Sequence, residues 1–200
     1  MAPSNLRRTA AALTGAALMA GCAATAAPPA VVGSSAPAAA SQTLGVTHYA
    51  LGQRPQIPEL TGTTLDGTSL EVKSLRGHVV VLNAWASYCE PCRTESPALA
   101  RVAKQTAALG VRFVGIDEQD RADPARAFAA SAGATYPELV DADGALLGSL
   151  RLVPPSAVPS TLVLDRAGRV AARVIGAVDG TTLDALVRAL VAEQAPSAVS

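Results

Sequence analysis

The 200-residue chain has few aromatics, little cysteine and no net charge. Aromatic residues make up 3%, and 16 basic residues balance 16 acidic ones with no basic run interleaved with aromatics, so nothing points to nucleic acid. Three cysteines are too few for a disulfide framework. A zinc site on the two closely spaced ones would need two further ligands, with only His48 and His78 as imidazole donors, so no metal is expected. The apolar run from Ala10 to Ala20 is too short to span a bilayer as a permanent helix. What is abundant is alanine, within a composition that is 50% hydrophobic and suits one domain plus appendages.

Residues 1–21 have the layout of a secretory signal peptide, with Arg7 and Arg8 ahead of the apolar run. The ending Leu18-Met19-Ala20-Gly21-Cys22 is similar to the lipobox of bacterial lipoproteins, which implies cleavage before Cys22 and its lipidation. An ordinary signal peptide cut between Ala23 and Ala27 is the alternative, and the protein would then be secreted. Either way the domain is exported. Removing residues 1–21 leaves 14 basic against 16 acidic residues. Residues 22–53 read as a flexible linker, rich in Ala, Pro and Ser at its start, that would tether the domain to the outer face of the cytoplasmic membrane.

The folded domain is expected over 54–194, with a disordered tail at 195–200. Asp66-Gly67 between β-prone residues predicts a leading hairpin. Val79–Leu82 is apolar enough to be a strand buried on both faces, hence central. After Cys92, Leu99, Val102, Ala103, Thr106 and Leu109 keep helical spacing to Gly110, with Pro97 predicted to kink the helix near its start. Val111–Ile116 is the next strand, Asp123-Pro124 predicts an N-cap and first helical position, and Gly133 ends that helix. A short strand at Tyr136–Val140, a turn at Asp141–Gly144 and a brief helix at Ala145–Leu150 follow. Thr161–Leu164 and Val170–Ile175 form an antiparallel hairpin, and Asp179 caps a last helix. The fold class is therefore α/β: a mixed central sheet flanked by helices, with an N-terminal hairpin.

The chemistry-bearing stretch is Cys89-Glu90-Pro91-Cys92, where the apolar strand runs into a helical pattern. Two residues between thiols suit a disulfide, and unpaired N–H groups in a helix's first turn lower a thiol pKa. This reads as a redox dithiol that needs no other cofactor. Trp85 four residues before Cys89, Pro91 between the thiols, Arg93, Pro97, and Val158-Pro159-Ser160-Thr161 opening the penultimate strand together resemble the thioredoxin superfamily. Asn83, Glu90, Glu95, the leading hairpin and an inserted β-α segment are most similar to its exported, membrane-anchored thiol-disulfide oxidoreductases, associated with cytochrome c maturation and envelope thiol reduction.

The resemblance implies a thioredoxin-like fold and a cis Pro159 facing the dithiol, with Pro159, Val158 and Trp85 as substrate-binding residues, Trp85 having packing under the dithiol as its equal alternative. Cys89 is the expected nucleophile and Cys92 the resolving thiol. Glu95, one turn beyond Cys92, would accept a proton or raise a thiol pKa, or else be a solvated first-turn carboxylate. Glu90 is expected to be exposed. The expected partners of this monomer are envelope protein thiols or disulfides, apocytochrome c among them, and a membrane electron donor. Two carboxylates beside the thiols favour a reductase over an oxidase of exported proteins. A thiol peroxidase is the rival enzyme, with a Thr-x-x-Cys setting that this chain lacks, and a non-catalytic lipoprotein is the rival outside enzymes.

Overall fold

The computed structural model describes residues 42–43 and 45–193. The expected signal peptide, Cys22, most of the linker and the tail at 195–200 lie outside the described residues. Among the described residues no helix is long and apolar enough to cross a membrane.

The sheet is organised on β5 (Val79–Trp85), all seven of whose residues are buried. It pairs in parallel with β6 (Val111–Glu118) on one side and antiparallel with β8 (Ser160–Leu164) on the other. With β1 (Gln42–Thr43), β2 (Val46–His48), β7 (Glu138–Asp141) and β9 (Val170–Ile175), the order is β1-β2-β9-β8-β5-β6-β7. A separate two-stranded sheet, β3 (Thr61–Thr63) and β4 (Ser69–Glu71), is the leading hairpin, with Asp66-Gly67 in its turn and Gly67 at φ +85°.

Among the described residues, four helices cover the large sheet. α1 (Glu90–Thr106) runs unbroken through Pro97, then tightens into a 3-10 turn that ends at Gly110, φ +79°. α4 (Gly180–Ala192) starts at Asp179, whose carboxylate accepts from the N–H groups of Thr181 and Thr182. These two helices pack on one face through Leu99, Val102, Leu183 and Val187. The opposite face buries Leu60, Val80, Leu82, Ile116 and Leu162, together with Leu147 of α3 (Ala145–Ser149). Asp141, at the end of β7, caps α3 by accepting from Leu146 and Leu147 N–H.

Two sequence expectations are corrected. α2 (Ala122–Ala132) starts before Asp123, which lies in its first turn and pairs with Arg126 at 3.1 Å. Pro124 is tolerated as its third residue because the N–H it lacks would have no partner inside the helix. The folded domain also begins earlier than residue 54. β2 lies in the stretch expected to be flexible, yet Val46, Thr47 and His48 pair with Val174, Arg173 and Ala172, and Val46 joins the core. Arg54, at the expected boundary, is buried between Asp165 (3.1 Å) and Glu193 (2.7 Å), tying the front of the domain to the end of α4.

A chain beginning at residue 54 should therefore be less stable than one beginning at residue 42. Losing Val46 burial and the β2 ladder should cost roughly 2–4 kcal/mol, which urea denaturation of the two chains would measure. Equal midpoints would show that β2 contributes nothing.

Candidate active site

β5 ends at Trp85, and four residues later Cys89 opens α1. The connecting loop is held at Ser87 from two sides: its N–H donates to Asp120 Oδ2 at 2.5 Å, and its carbonyl accepts from Arg93 Nη1 at 3.2 Å. Arg93 in turn lies over the Phe128 ring, 5.5 Å from its centroid. Cys89 is the N-cap of α1, and its Sγ accepts from Cys92 N–H at 3.2 Å. The sulfur thus occupies the position at which a serine or aspartate oxygen usually satisfies a free helical donor.

Cys89 and Cys92 form a disulfide, with Cα atoms 5.2 Å apart. Cys92 is fully buried, while Cys89 retains 8% exposure, so an attacking thiol can reach the Cys89 sulfur alone. Beside it Tyr88 is 64% exposed, a free aromatic face at the rim.

The other expected residues separate into four groups. Val158 and Pro159 come to the dithiol: their peptide bond is cis, and Val158 packs against the cluster that contains Cys89 and Cys92. Val158 N–H donates to Ser156 and the Pro159 carbonyl accepts from Gly176, leaving the Val158 carbonyl as the group of this pair without a backbone partner among the described residues. Trp85 is not at the surface. It is 3% exposed, packs against Phe128 with ring centroids 4.8 Å apart, and donates its indole N–H to Glu138 Oε2 at 2.7 Å. Of its two expected roles, substrate contact and packing beneath the dithiol, its burial fits the second. Glu90 is exposed, reaching toward Arg93 at 3.9 Å.

Glu95 is not a solvated first-turn carboxylate. It is 4% exposed, accepts from Asn83 Nδ2 at 2.9 Å and from Val178 N–H at 2.8 Å, and Asn83 also donates to Thr161 Oγ1. Burial pushes its carboxyl up to about 7, against the pull of those two donors. Sequence reasoning missed two further acids on this face of the sheet. Asp117, paired in register with Trp85, is raised to about 7 by burial and by the neighbouring Asp120 and Asp141. Glu138, beside Gly115 in register, is the second, and Gly115 was its signal: an isolated glycine in a strand of Val, Phe and Ile marks a close approach.

This is a disulfide seated in a helix N-terminus, with one reachable sulfur, a cis-proline wall and buried acids behind it: the parts needed for thiol-disulfide exchange. The comparisons agree. The AhpC/TSA family matches residues 54–173. Thiol-disulfide oxidoreductase ResA of Bacillus thuringiensis is 26% identical over 121 residues, 60% of this chain and 68% of that protein. Thiol:disulfide interchange protein HelX of Rhodobacter capsulatus is 35% identical over 100 residues, covering 50% of this chain and 53% of HelX. A secreted thiol-disulfide isomerase from Corynebacterium glutamicum, known from its crystal structure, superposes with a TM-score of 0.71 at 33% identity over 74% of this chain and 93% of that one. The chain thus belongs to the AhpC/TSA family, and with its dithiol on a thioredoxin fold it is an extracytoplasmic thiol-disulfide oxidoreductase.

Proposed function

We propose that the protein works as a disulfide reductase of envelope proteins, apocytochrome c among them, tethered to the membrane by a lipid on Cys22. The redox group is the Cys89/Cys92 pair itself, with no further cofactor. Reduced Cys89 attacks a partner disulfide as the thiolate. The partner's S–S bond breaks, one of its sulfurs leaves and takes up a proton, and the other is held in a mixed disulfide. Cys92 then gives up its proton and attacks Cys89, so the partner departs as a dithiol and the chain as the Cys89–Cys92 disulfide. Two electrons and two protons have passed to the partner, and a membrane electron donor restores them. The exposure of Cys89 against the burial of Cys92 supports this order of attack. The open carbonyl of Val158 suits strand-like pairing with an extended partner segment.

The direction of electron flow rests on one observation, the burial of Glu95 one turn behind Cys92. A helix N-terminus stabilises thiolates and makes a dithiol oxidising, whereas a carboxylate in a low-dielectric site opposes them. Glu90 is too exposed to contribute much. Glu95, poised at about 7, takes up the Cys92 proton when neutral pH leaves it ionised, and its charge disfavours a standing thiolate.

Two measurements test this reading. Cys92→Ser should accumulate mixed disulfides through Cys89 with envelope proteins, identifiable by mass. Absence of any adduct would favour the non-catalytic reading, and rapid peroxide consumption surviving the substitution would favour a peroxidase. Titration in glutathione buffers should place the wild-type potential nearer −270 than −120 mV on the scale of such dithiols, roughly. Glu95→Gln should make it less negative by about 30 mV above pH 7, the equivalent of about one unit of thiol pKa. A wild-type value near the oxidising end would overturn the reductase assignment.

A further inference from the structure

Glu138 is a buried carboxyl for which the exchange chemistry above has no use. It is 6% exposed and sits in one register rung with Thr161, Asn83 and Gly115, running across four strands beneath α1. Its side chain turns back over Gly115, where a Cβ would lie 1.4 Å from Oε2 and 2.7 Å from Trp85 Nε1. Only glycine leaves that path open. The carboxyl thereby reaches the Trp85 indole, bonding at 2.7 Å, and Trp85 lies in the same apolar cluster as Cys89 and Cys92.

Satisfying a buried indole N–H does not require an acid. A carbonyl or amide oxygen would do so without the cost of desolvating a carboxyl. Nor does an ion pair explain it, because no salt bridge to Glu138 occurs among the described residues. Arg126, which lines the same cleft, is turned to Leu65 carbonyl and Asp123. The other groups facing Glu138 are acids or a phenol: Asp117 from β6, Tyr136 just before β7, Asp66 from the hairpin turn, with Glu95 from α1 near Tyr136. Burial, with Asp117 adding to it, pushes the Glu138 carboxyl up to about 8 despite the indole donor.

We propose that Glu138 is a positioning residue of the dithiol, holding the Trp85 indole beneath Cys89–Cys92 and transmitting the state of its own carboxyl to the thiols. While the carboxyl is protonated, the bond to the indole is a neutral one. Once the proton leaves, the bond becomes charge-assisted and tighter. A negative charge then stands behind the dithiol in a low-dielectric site, where it opposes thiolate formation. The cleft lined by Thr64, Asp66, Arg126 and Tyr136 gives the carboxyl contact with solvent for that exchange. The arrangement thus slows the rise of thiolate with pH on the alkaline side.

The chain contains one tryptophan, so indole emission reports on the surroundings of Trp85 alone. Emission of the oxidised full-length protein, in which neither sulfur titrates, should show a step centred near pH 8. That step should disappear in Glu138→Gln, whose amide oxygen still accepts from the indole but carries no charge, and should survive in Glu95→Gln and Asp117→Asn. This measurement needs no activity, so its failure is separate from any failure of the reductase reading. In the reduced protein, Glu138→Gln should shift the pH profile of Cys89 alkylation to lower pH. A step that persists in Glu138→Gln, or flat wild-type emission between pH 7 and 9, would overturn the proposal. Should Glu138→Gln not fold, Trp85→Phe removes the donor that holds the carboxyl down. The inflection near pH 8 in wild-type Cys89 alkylation should then move to higher pH, and an unmoved inflection would count equally against the proposal.

Discussion

The active site depends on one capping interaction. Cys89 Sγ accepts the N–H of Cys92, and the same two residues are joined as a disulfide. The nucleophile candidate is therefore also the group that terminates α1, and its position is set wherever the helix is set. α1 is held by packing against the sheet through Leu99 and Val102, and β5, buried at all seven residues, delivers the chain to Cys89. Ser87, gripped by Asp120 and Arg93, removes the remaining freedom in the loop. The dithiol is consequently held from several sides, with one reachable sulfur.

Behind it, among the described residues, stand acids without counter-cations. Glu95, Asp117 and Glu138 lie on the α1-facing side of the sheet, and burial raises each of them toward neutrality or above. A folded-state pKa above the unfolded value means that folding favours the protonated carboxyl. Their contribution to stability is full below about pH 4.5 and is lost as the pH rises through 7 and 8. Such an arrangement costs stability at neutral pH, and in the roles proposed for Glu95 and Glu138 it biases the proton balance of the neighbouring redox pair.

The opposite end of the domain follows a different logic. Arg54 is buried but paired with Asp165 and Glu193, and Asp165 is held below the usual carboxylate range by the Arg169 and Ala167 N–H groups and by Arg54, against the effect of its burial. Here charge is neutralised and serves to close the fold. The contrast between compensated charges away from the dithiol and uncompensated acids beside it separates structural from functional polarity within one small domain.

Local pattern was enough for most of the architecture. The doubly buried strand, the Asp66-Gly67 turn, the Asp179 cap and the spacing of Cys89 and Cys92 are short-range signals, each determined by a few adjacent residues. The expectation of export came from the layout of residues 1–21, because targeting is encoded in linear composition. What sequence could not decide is which polar side chains leave water. Trp85 could equally have been a substrate contact or packing, and it is packed beneath the dithiol. β2 looked like linker and belongs to the sheet, since its partner β9 is more than a hundred residues away. Glu95 could equally have been solvated, and Glu138 was marked in the sequence by no more than the isolated strand glycine Gly115. Their burial arises only when β5, β6, β7 and α1 come together, and desolvation, the force that sets their proton affinity, exists only in that assembled interior.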